Sequence, residues 1–157
     1  MRERQIERHP RHPRDFEAFV AGAGGRLLHV ATLLTAEHPG HAPAAEDVLV
    51  TALSRTYARW DRMRGEDPYD HTRRELAEHI ARHVWRFRRP RGGLLGRLPP
   101  QERLVLVLRS YEGVAVEQVA AVLGLTGERV ETLYSHAVAT MRSRPAVAAG
   151  RRLEGAR

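Results

Sequence analysis

The 157-residue sequence lacks cysteine, lysine and any long apolar run, and these absences exclude several classes of protein. Without cysteine the chain has neither disulfides nor thiolate metal sites. The apolar run Leu104–Leu108, which no other uninterrupted run exceeds in length, is far too short to cross a bilayer, and no apolar signal segment follows the arginine-rich N-terminus. We therefore expect a soluble, cytoplasmic protein with no membrane association.

Helical periodicity dominates what is present, and no strand pattern occurs. Hydrophobic residues make up 42% of the chain, enough for packed cores, and the length admits one ordinary domain or two small ones. The pattern predicts an all-α fold of two small helical domains, a three-helix unit followed by a helix-turn-helix unit. The predicted bounds are 1–14 for a disordered basic arm, 15–89 for the first unit, 90–98 for a short linker, 99–145 for the second unit and 146–157 for a disordered tail.

Proline and capping residues mark the helix boundaries of the first unit. Pro43 suits the first position of its second helix. Asp67 is placed to cap a third helix that begins at Pro68. The apolar pattern predicts that this third helix continues through Phe87 into a cluster of arginines.

The stretch VAAVLGLTGERVETLYSHAVATMR, residues 119–142, is typical of a helix-turn-helix. Gly124 supplies the left-handed residue that ends one helix, and Thr126 caps the next. In many DNA-binding proteins the second helix of this motif enters the major groove. Its candidate DNA contacts lie opposite the predicted buried side: Arg129, Thr132, Ser135 and His136.

Two acidic residues, Glu128 and Glu131, lie in the leading turns of that helix, where phosphates would repel them. Three interpretations remain open. The carboxylates stabilise the helix N-terminus by ~0.3–1 kcal/mol each. Alternatively, they accept hydrogen bonds from cytosine amino groups in the groove, or this surface faces a protein instead of DNA.

The net charge of +7 is concentrated ahead of the helix-turn-helix. Residues 82–97 hold six arginines and no acid, whereas five acids balance five arginines in residues 98–145. Four residues at spacings of three and four form what we call the basic stripe: Arg82, Trp85, Arg86 and Arg89. An aromatic ring between guanidinium groups suits a partly single-stranded nucleic acid. The alternative is a solvated basic helix end with Trp85 packed in the core.

Both units resemble conserved regions of the extracytoplasmic-function (ECF) sigma factors of RNA polymerase, particularly the actinobacterial type, although the match is divergent. The sequence AEDVLVTALSRTYARWDRMRGEDPYDHTRRELAEHIARHVWRFRR is similar to their second region. The sequence LPPQERLVLVLRSYEGVAVEQVAAVLGLTGERVETLYSHAVATMR is similar to their fourth region. The two units are therefore called the region 2-like unit and the region 4-like unit.

The resemblance implies a transcription initiation factor that binds core RNA polymerase and promoter DNA and needs no cofactor or metal. The second helix would face the polymerase clamp, with candidate contacts at Asp47, Arg55 and Arg59. The third helix would melt and read the −10 element, and the final helix would read the −35 element. An anti-sigma factor or another regulatory protein is a further expected partner.

The connection between the two units is short for this family. Residues 90–99 reach at most ~35 Å, whereas promoter elements ~17 base pairs apart are separated by roughly 60 Å along the duplex. A second hypothesis is therefore a sigma-like regulator that acts by protein–protein binding without promoter recognition of its own.

An enzyme is not expected from the sequence. Glu75, His79 and His83 recur every four residues and could face one metal ion, but no second ligand cluster accompanies them. The favoured interpretation places both histidines at the surface near nucleic acid. No arrangement for nucleophilic catalysis or phosphate binding is evident.

Overall fold

The computed structural model describes residues 13–89 and 91–143. Within them the chain forms α-helices joined by turns, with backbone bridges only at isolated positions such as Glu37 and His38, so the predicted all-α class is confirmed. The helices are α1 (Pro13–Thr35), α2 (Pro43–Ala58), α3 (Pro68–Arg82), α4 (Pro100–Leu106), α5 (Val116–Leu123) and α6 (Gly127–Arg142).

The helices begin where proline and capping side chains predict. Proline occupies an opening position of α2, α3 and α4, where the missing N–H costs no hydrogen bond. The Asp67 carboxylate accepts a hydrogen bond from the Tyr69 backbone N–H at 2.9 Å and so caps α3. The start of α2 is capped by a residue that the sequence did not reveal, the buried Glu37. Its two oxygens accept from the backbone N–H groups of Ala44 and Ala45 at 3.1 and 2.7 Å.

Two predicted boundaries are wrong. Pro13 and Arg14, assigned to the disordered arm, form the first turn of α1; the remainder of the arm and the tail from residue 146 lie outside the described residues. Helix α3 ends at Arg82 instead of continuing past Phe87, and a 3-10 turn, Val84–Phe87, follows it. The narrower turn allows Phe87 to be buried beside α4 although the helical register has been lost.

Helix α1 is long and apolar enough to cross a membrane by length and composition alone. In the fold its C-terminal half is a core element, because Leu27, Val30 and Leu34 are fully buried and α1 packs against α2, α3 and α4. Burial inside the protein accounts for the apolar character of that half.

The predicted linker is packed against the first unit. The Gly93 backbone N–H donates to the Ala36 carbonyl at 2.8 Å, and Leu95 and Leu98 are buried. A Cβ at position 93 would clash with the Glu37 carbonyl oxygen, so only glycine permits this close approach. The linker is therefore packed against the segment that follows α1.

The region 2-like and region 4-like units contribute to one continuous hydrophobic cluster. Leu34 and Ile80 from the first unit and Leu104 and Val119 from the second all belong to it. Helix α3 packs against both α4 and α5. The division into two domains at the predicted bounds stays a prediction, and the structure shows the two units in closed contact.

A buried arginine ties the units together at this contact. Arg103 is 0% exposed, and its guanidinium donates to the carbonyls of Leu34 at 2.9 Å, Phe87 at 3.3 Å and Leu98 at 2.9 Å. Burial, and secondarily the charge of Arg91, lowers the pKa of Arg103 to about 10, so the group remains charged at neutral pH. One side chain thus joins the ends of α1, the 3-10 turn and the linker to α4.

Candidate nucleic-acid interface

Helices α5 and α6 form the predicted helix-turn-helix. Gly124 ends α5 in the left-handed conformation, with φ of 65°, and the Leu125 backbone N–H donates to the Ala120 carbonyl at 2.9 Å. The Thr126 hydroxyl accepts from the Arg129 backbone N–H at 3.1 Å and caps α6. The buried side of α6 packs against α4 and α5 through Val130, Leu133 and Ala137. The opposite side of α6 is exposed.

The four candidate DNA contacts on α6 all lie on this exposed side: Arg129, Thr132, Ser135 and His136. Two of them already have partners. The Thr132 hydroxyl donates to the Glu128 carbonyl at 3.0 Å, and His136 Nδ1 lies 3.6 Å from a Glu102 carboxylate oxygen on α4. Among the four candidates, Arg129 is therefore the one that offers a permanent positive charge to a phosphate or a base. Its role in DNA binding stays a prediction.

Glu128 and Glu131 are exposed at the start of the same helix. Their position near the positive end of the helix dipole is favourable for carboxylates. It also places two negative charges beside Arg129, on the surface that would approach phosphates. The geometry leaves all three interpretations of these residues open.

The basic stripe is exposed in all four of its residues, but it does not follow one α-helical face, because α3 ends within it. Trp85 is 62% exposed, so its predicted alternative role in core packing is wrong. The Arg86 guanidinium lies 4.9 Å from the centre of the Trp85 ring, within the range of a cation–π contact. The stripe thus presents a solvent-accessible ring beside positive charge, as single-stranded nucleic acid binding requires.

His79 and His83 lie next to the stripe and contact each other. Their ring centres are 4.5 Å apart, and His83 Nδ1 lies 2.7 Å from the His79 carbonyl oxygen. Glu75 accepts instead from Arg55 at 3.3 Å. The pKa of His79 is lowered by burial first and then by the neighbouring charges of His83 and arginines. Among residues 13–89 and 91–143 no group of three or more potential ligands is arranged for a metal ion.

The candidate polymerase contacts lie on α2 and at its end. Asp47 and Arg59 are exposed, whereas Arg55 is part-buried because it pairs with Glu75 of α3. The outer face of α2 also exposes two apolar side chains, Val50 at 63% and Tyr57 at 52%. Exposed apolar residues together with charges are common on protein-binding surfaces.

The sequence analysis missed the residues that join the two units. Arg103 of α4 comes four residues before the buried Val107, which follows α4 directly. The position of an arginine in this apolar pattern was the available signal. Glu112 belongs to the Tyr-Glu-Gly step that supports the family resemblance, but nothing in the sequence identifies its partners, which are 39 to 86 residues away. Long-range pairs of this kind leave no local pattern.

Comparison with known proteins supports the interpretation of the helix-turn-helix. The family model for sigma-70, region 4, matches residues 94–143, which includes all of α4, α5 and α6. These residues are thus a sigma-70 region 4 domain.

Relatives extend the similarity over most of the chain. The RNA polymerase sigma-E factor of Streptomyces coelicolor is 27% identical over an alignment of 153 positions, and the alignment covers 82% of this chain and 84% of the relative. The sigma-E factor of Streptomyces avermitilis is 28% identical with 82% and 83% covered. That of Streptomyces antibioticus is 28% identical over an alignment of 123 positions, which covers 62% of this chain and 68% of the relative. The predicted resemblance to ECF-type RNA polymerase sigma factors is confirmed.

Proposed function

We propose that the protein acts as a sigma factor that binds core RNA polymerase and directs it to promoters. The observation that carries the proposal is the exposed outer face of α6, set in a helix-turn-helix within a sigma-70 region 4 domain. The exposed basic stripe in the unit before it supplies a second surface for DNA.

Each surface has a distinct role in this proposal. The outer face of α6 contacts the −35 element through Arg129, Thr132, Ser135 and His136. The basic stripe contacts the −10 region, where its arginines neutralise phosphates and Trp85 stacks on an unpaired base. The exposed face of α2 contacts polymerase through Asp47, Arg55 and Arg59.

The same proposal assigns the protein to the cytoplasm, where polymerase and the chromosome are found. It involves no catalytic residue, cofactor or metal. An anti-sigma factor is an additional partner that would bind in competition with polymerase.

Binding to core polymerase is the first test. Arg59→Glu reverses an exposed charge at the end of α2, and we expect it to weaken co-purification with purified core enzyme at least several-fold. Arg64→Glu, also exposed and in the same unit, is the matched control and should bind normally. If both variants co-purify with core enzyme as well as the parent does, the polymerase contact must lie on another surface.

A second candidate function is a sigma-like regulator that occupies a protein partner without reading a promoter. The observation that favours it is the pair of exposed carboxylates, Glu128 and Glu131, on the face that would meet DNA. Such a protein would bind polymerase or a regulator and enrich no DNA sequence in a selection experiment.

A further inference from the structure

Two imidazole rings lie in contact beside the basic stripe. His79 is in the last turn of α3, and His83 follows the helix directly. Their ring centres are 4.5 Å apart, and both residues are half-buried. We call them the histidine pair. The Arg86 backbone N–H donates to the His83 carbonyl at 2.9 Å, so a single turn of backbone connects the pair to the stripe.

The hydrogen bond of His83 determines which of its ring nitrogens can titrate. Nδ1 lies 2.7 Å from the His79 carbonyl oxygen, which can only accept, so Nδ1 carries a proton. Nε2 is then an acceptor in the neutral ring and a donor in the imidazolium. Histidine changes between these two forms between about pH 5 and 8. His83 can therefore gain a second donor without losing its bond to the carbonyl.

His79 is held in the neutral form. Burial is the largest cause of its lowered pKa, and the charges of neighbouring groups are the remaining causes. All of these charges are positive: those of His83, Arg55, Arg82 and Arg86. Nδ1 of His79 is shielded and has no hydrogen-bond partner in the part of the chain that the structure describes, so a proton there would be a buried donor without an acceptor. The neutral ring therefore carries its proton on Nε2, which is not shielded in this way.

The positive charge around the histidine pair is only partly balanced. Arg55 of α2 pairs with Glu75 at 3.3 Å. Within the described residues, neither Arg82 nor Arg86 pairs with a carboxylate. Cations gathered in this way repel one another unless an anion lies among them. The arrangement therefore favours an anionic ligand.

The other charged groups around this end of α3 do not supply that anion. Glu75 is engaged by Arg55 and lies 3.9 Å from Nε2 of the buried His71. Glu78, the remaining carboxylate of this part of α3, forms no ion pair with either ring in residues 13–89 and 91–143. From α4, which packs against the 3-10 turn, comes the buried Arg103, whose guanidinium donates to a backbone carbonyl of that turn.

A backbone phosphate of DNA has the chemistry that this place requires. Its two non-bridging oxygens share one negative charge, and each can accept a hydrogen bond from one ring of the pair. The exposed Trp85 ring lies two residues beyond His83 and provides a stacking surface for a base next to such a phosphate. A free anion would leave that ring unused, whereas a nucleic-acid strand engages both.

We propose that the histidine pair is a proton-linked phosphate site of the DNA-binding surface, in which His79 donates as a neutral ring and His83 donates from Nε2 after it takes up one proton. The inference rests on the proposed sigma-factor function. The proton comes from solvent, because a bound phosphate favours the imidazolium over the neutral ring. DNA binding beside the stripe therefore becomes tighter as the pH falls.

Fluorescence anisotropy titrations at several pH values test the site. The probe is a fork-junction DNA with a single-stranded −10 region and no upstream −35 duplex, so that α6 has no element to bind. An opposite charge within about 4–6 Å favours the charged form of a titrating group roughly tenfold or more, so we expect the affinity to rise about tenfold from pH 8 to pH 6. The slope of log affinity against log salt concentration should steepen by roughly 0.7–0.9, because one more cation meets the DNA. Arginines stay charged across this range and cannot cause either change.

Single substitutions assign the pH dependence to one ring. His83→Gln keeps a donor for the carbonyl but cannot titrate, and it should abolish both changes. His79→Gln keeps an uncharged N–H donor and should retain both. His41→Gln replaces an exposed histidine outside the site and is the matched control. An unaltered pH dependence in His83→Gln, or its loss in His136→Gln instead, would overturn the site.

Proton uptake can also be counted without any variant. Calorimetric titration of the parent protein with the same DNA, in two buffers of different ionisation enthalpy, gives the number of protons taken up for each complex. We expect about 0.5–1 proton near pH 7, and a value of zero would overturn the site. If circular dichroism shows that His83→Gln does not fold, this count decides the question.

The outcomes separate this inference from the proposed function. DNA binding that needs the stripe arginines but takes up no proton would refute the site and retain the proposed function. Proton-linked DNA binding without transcription from any promoter would retain the site and refute the sigma-factor function. Absence of DNA binding at every pH would refute both.

Discussion

Replacement of Arg103 is the most direct test of how the two units are joined. In Arg103→Met the apolar stem is kept, but three buried carbonyls lose their donors, those of Leu34, Phe87 and Leu98. Each orphaned carbonyl costs about 1–3 kcal/mol. The variant no longer has to bury a charged guanidinium, which offsets part of that cost. We expect a net loss of about 3–5 kcal/mol in the free energy of unfolding. Domains of this size have only about 5–15 kcal/mol in total.

Urea unfolding followed by far-ultraviolet circular dichroism measures this loss. Arg103→Lys should fall between the parent and Arg103→Met, because one ammonium group cannot reach all three carbonyls. Arg64→Met, which removes an exposed arginine, should change stability by less than about 0.5 kcal/mol. An unfolding free energy for Arg103→Met equal to that of the parent would refute the role assigned to this side chain.

Three further predictions concern the surfaces. Replacing the three arginines of the basic stripe with alanine should weaken binding to fork-junction DNA. It should also reduce the slope of log affinity against log salt concentration by up to about three, roughly one for each lost charge. An unchanged slope in anisotropy titrations would exclude the stripe from the DNA-binding surface. Glu128→Gln with Glu131→Gln should shift the bases enriched in a DNA selection towards adenine, and the idea fails if neither this variant nor the parent enriches any sequence. His79 has a lowered pKa in the folded protein, so the unfolded chain binds its proton more readily and stability is lost as the pH falls below about 6.5. In urea unfolding, the His79→Gln variant should lose less stability than the parent between about pH 7 and pH 5. Equal losses would show that His79 does not cause this pH dependence.

Local chemistry made the helices and the helix-turn-helix predictable. The cap at Asp67, the left-handed Gly124 and the cap at Thr126 act within a few residues of their own positions, so the sequence contains the whole signal. The exposure of the α6 candidates followed from helical periodicity in the same way.

What could not be predicted depends on long-range contact. Helix α3 ends at Arg82, and Phe87 is buried beside α4, a neighbour about which a periodic pattern carries no information. Glycine is needed at position 93 because its backbone contacts that of Ala36, which lies more than fifty residues earlier in the chain. The Glu112 and Arg103 clusters likewise join segments that only the folded chain brings together.

Run-off transcription with purified core polymerase and a library of randomised promoters tests the central claim most directly. The account predicts that the protein, added to core enzyme, yields transcripts whose templates share two sequence elements, one for each DNA-binding surface. Core enzyme alone and the stripe variant with three alanines are the controls, and both should give none of these transcripts. Stable binding to core polymerase with no enriched promoter would contradict the claim and favour a regulator that acts through protein binding.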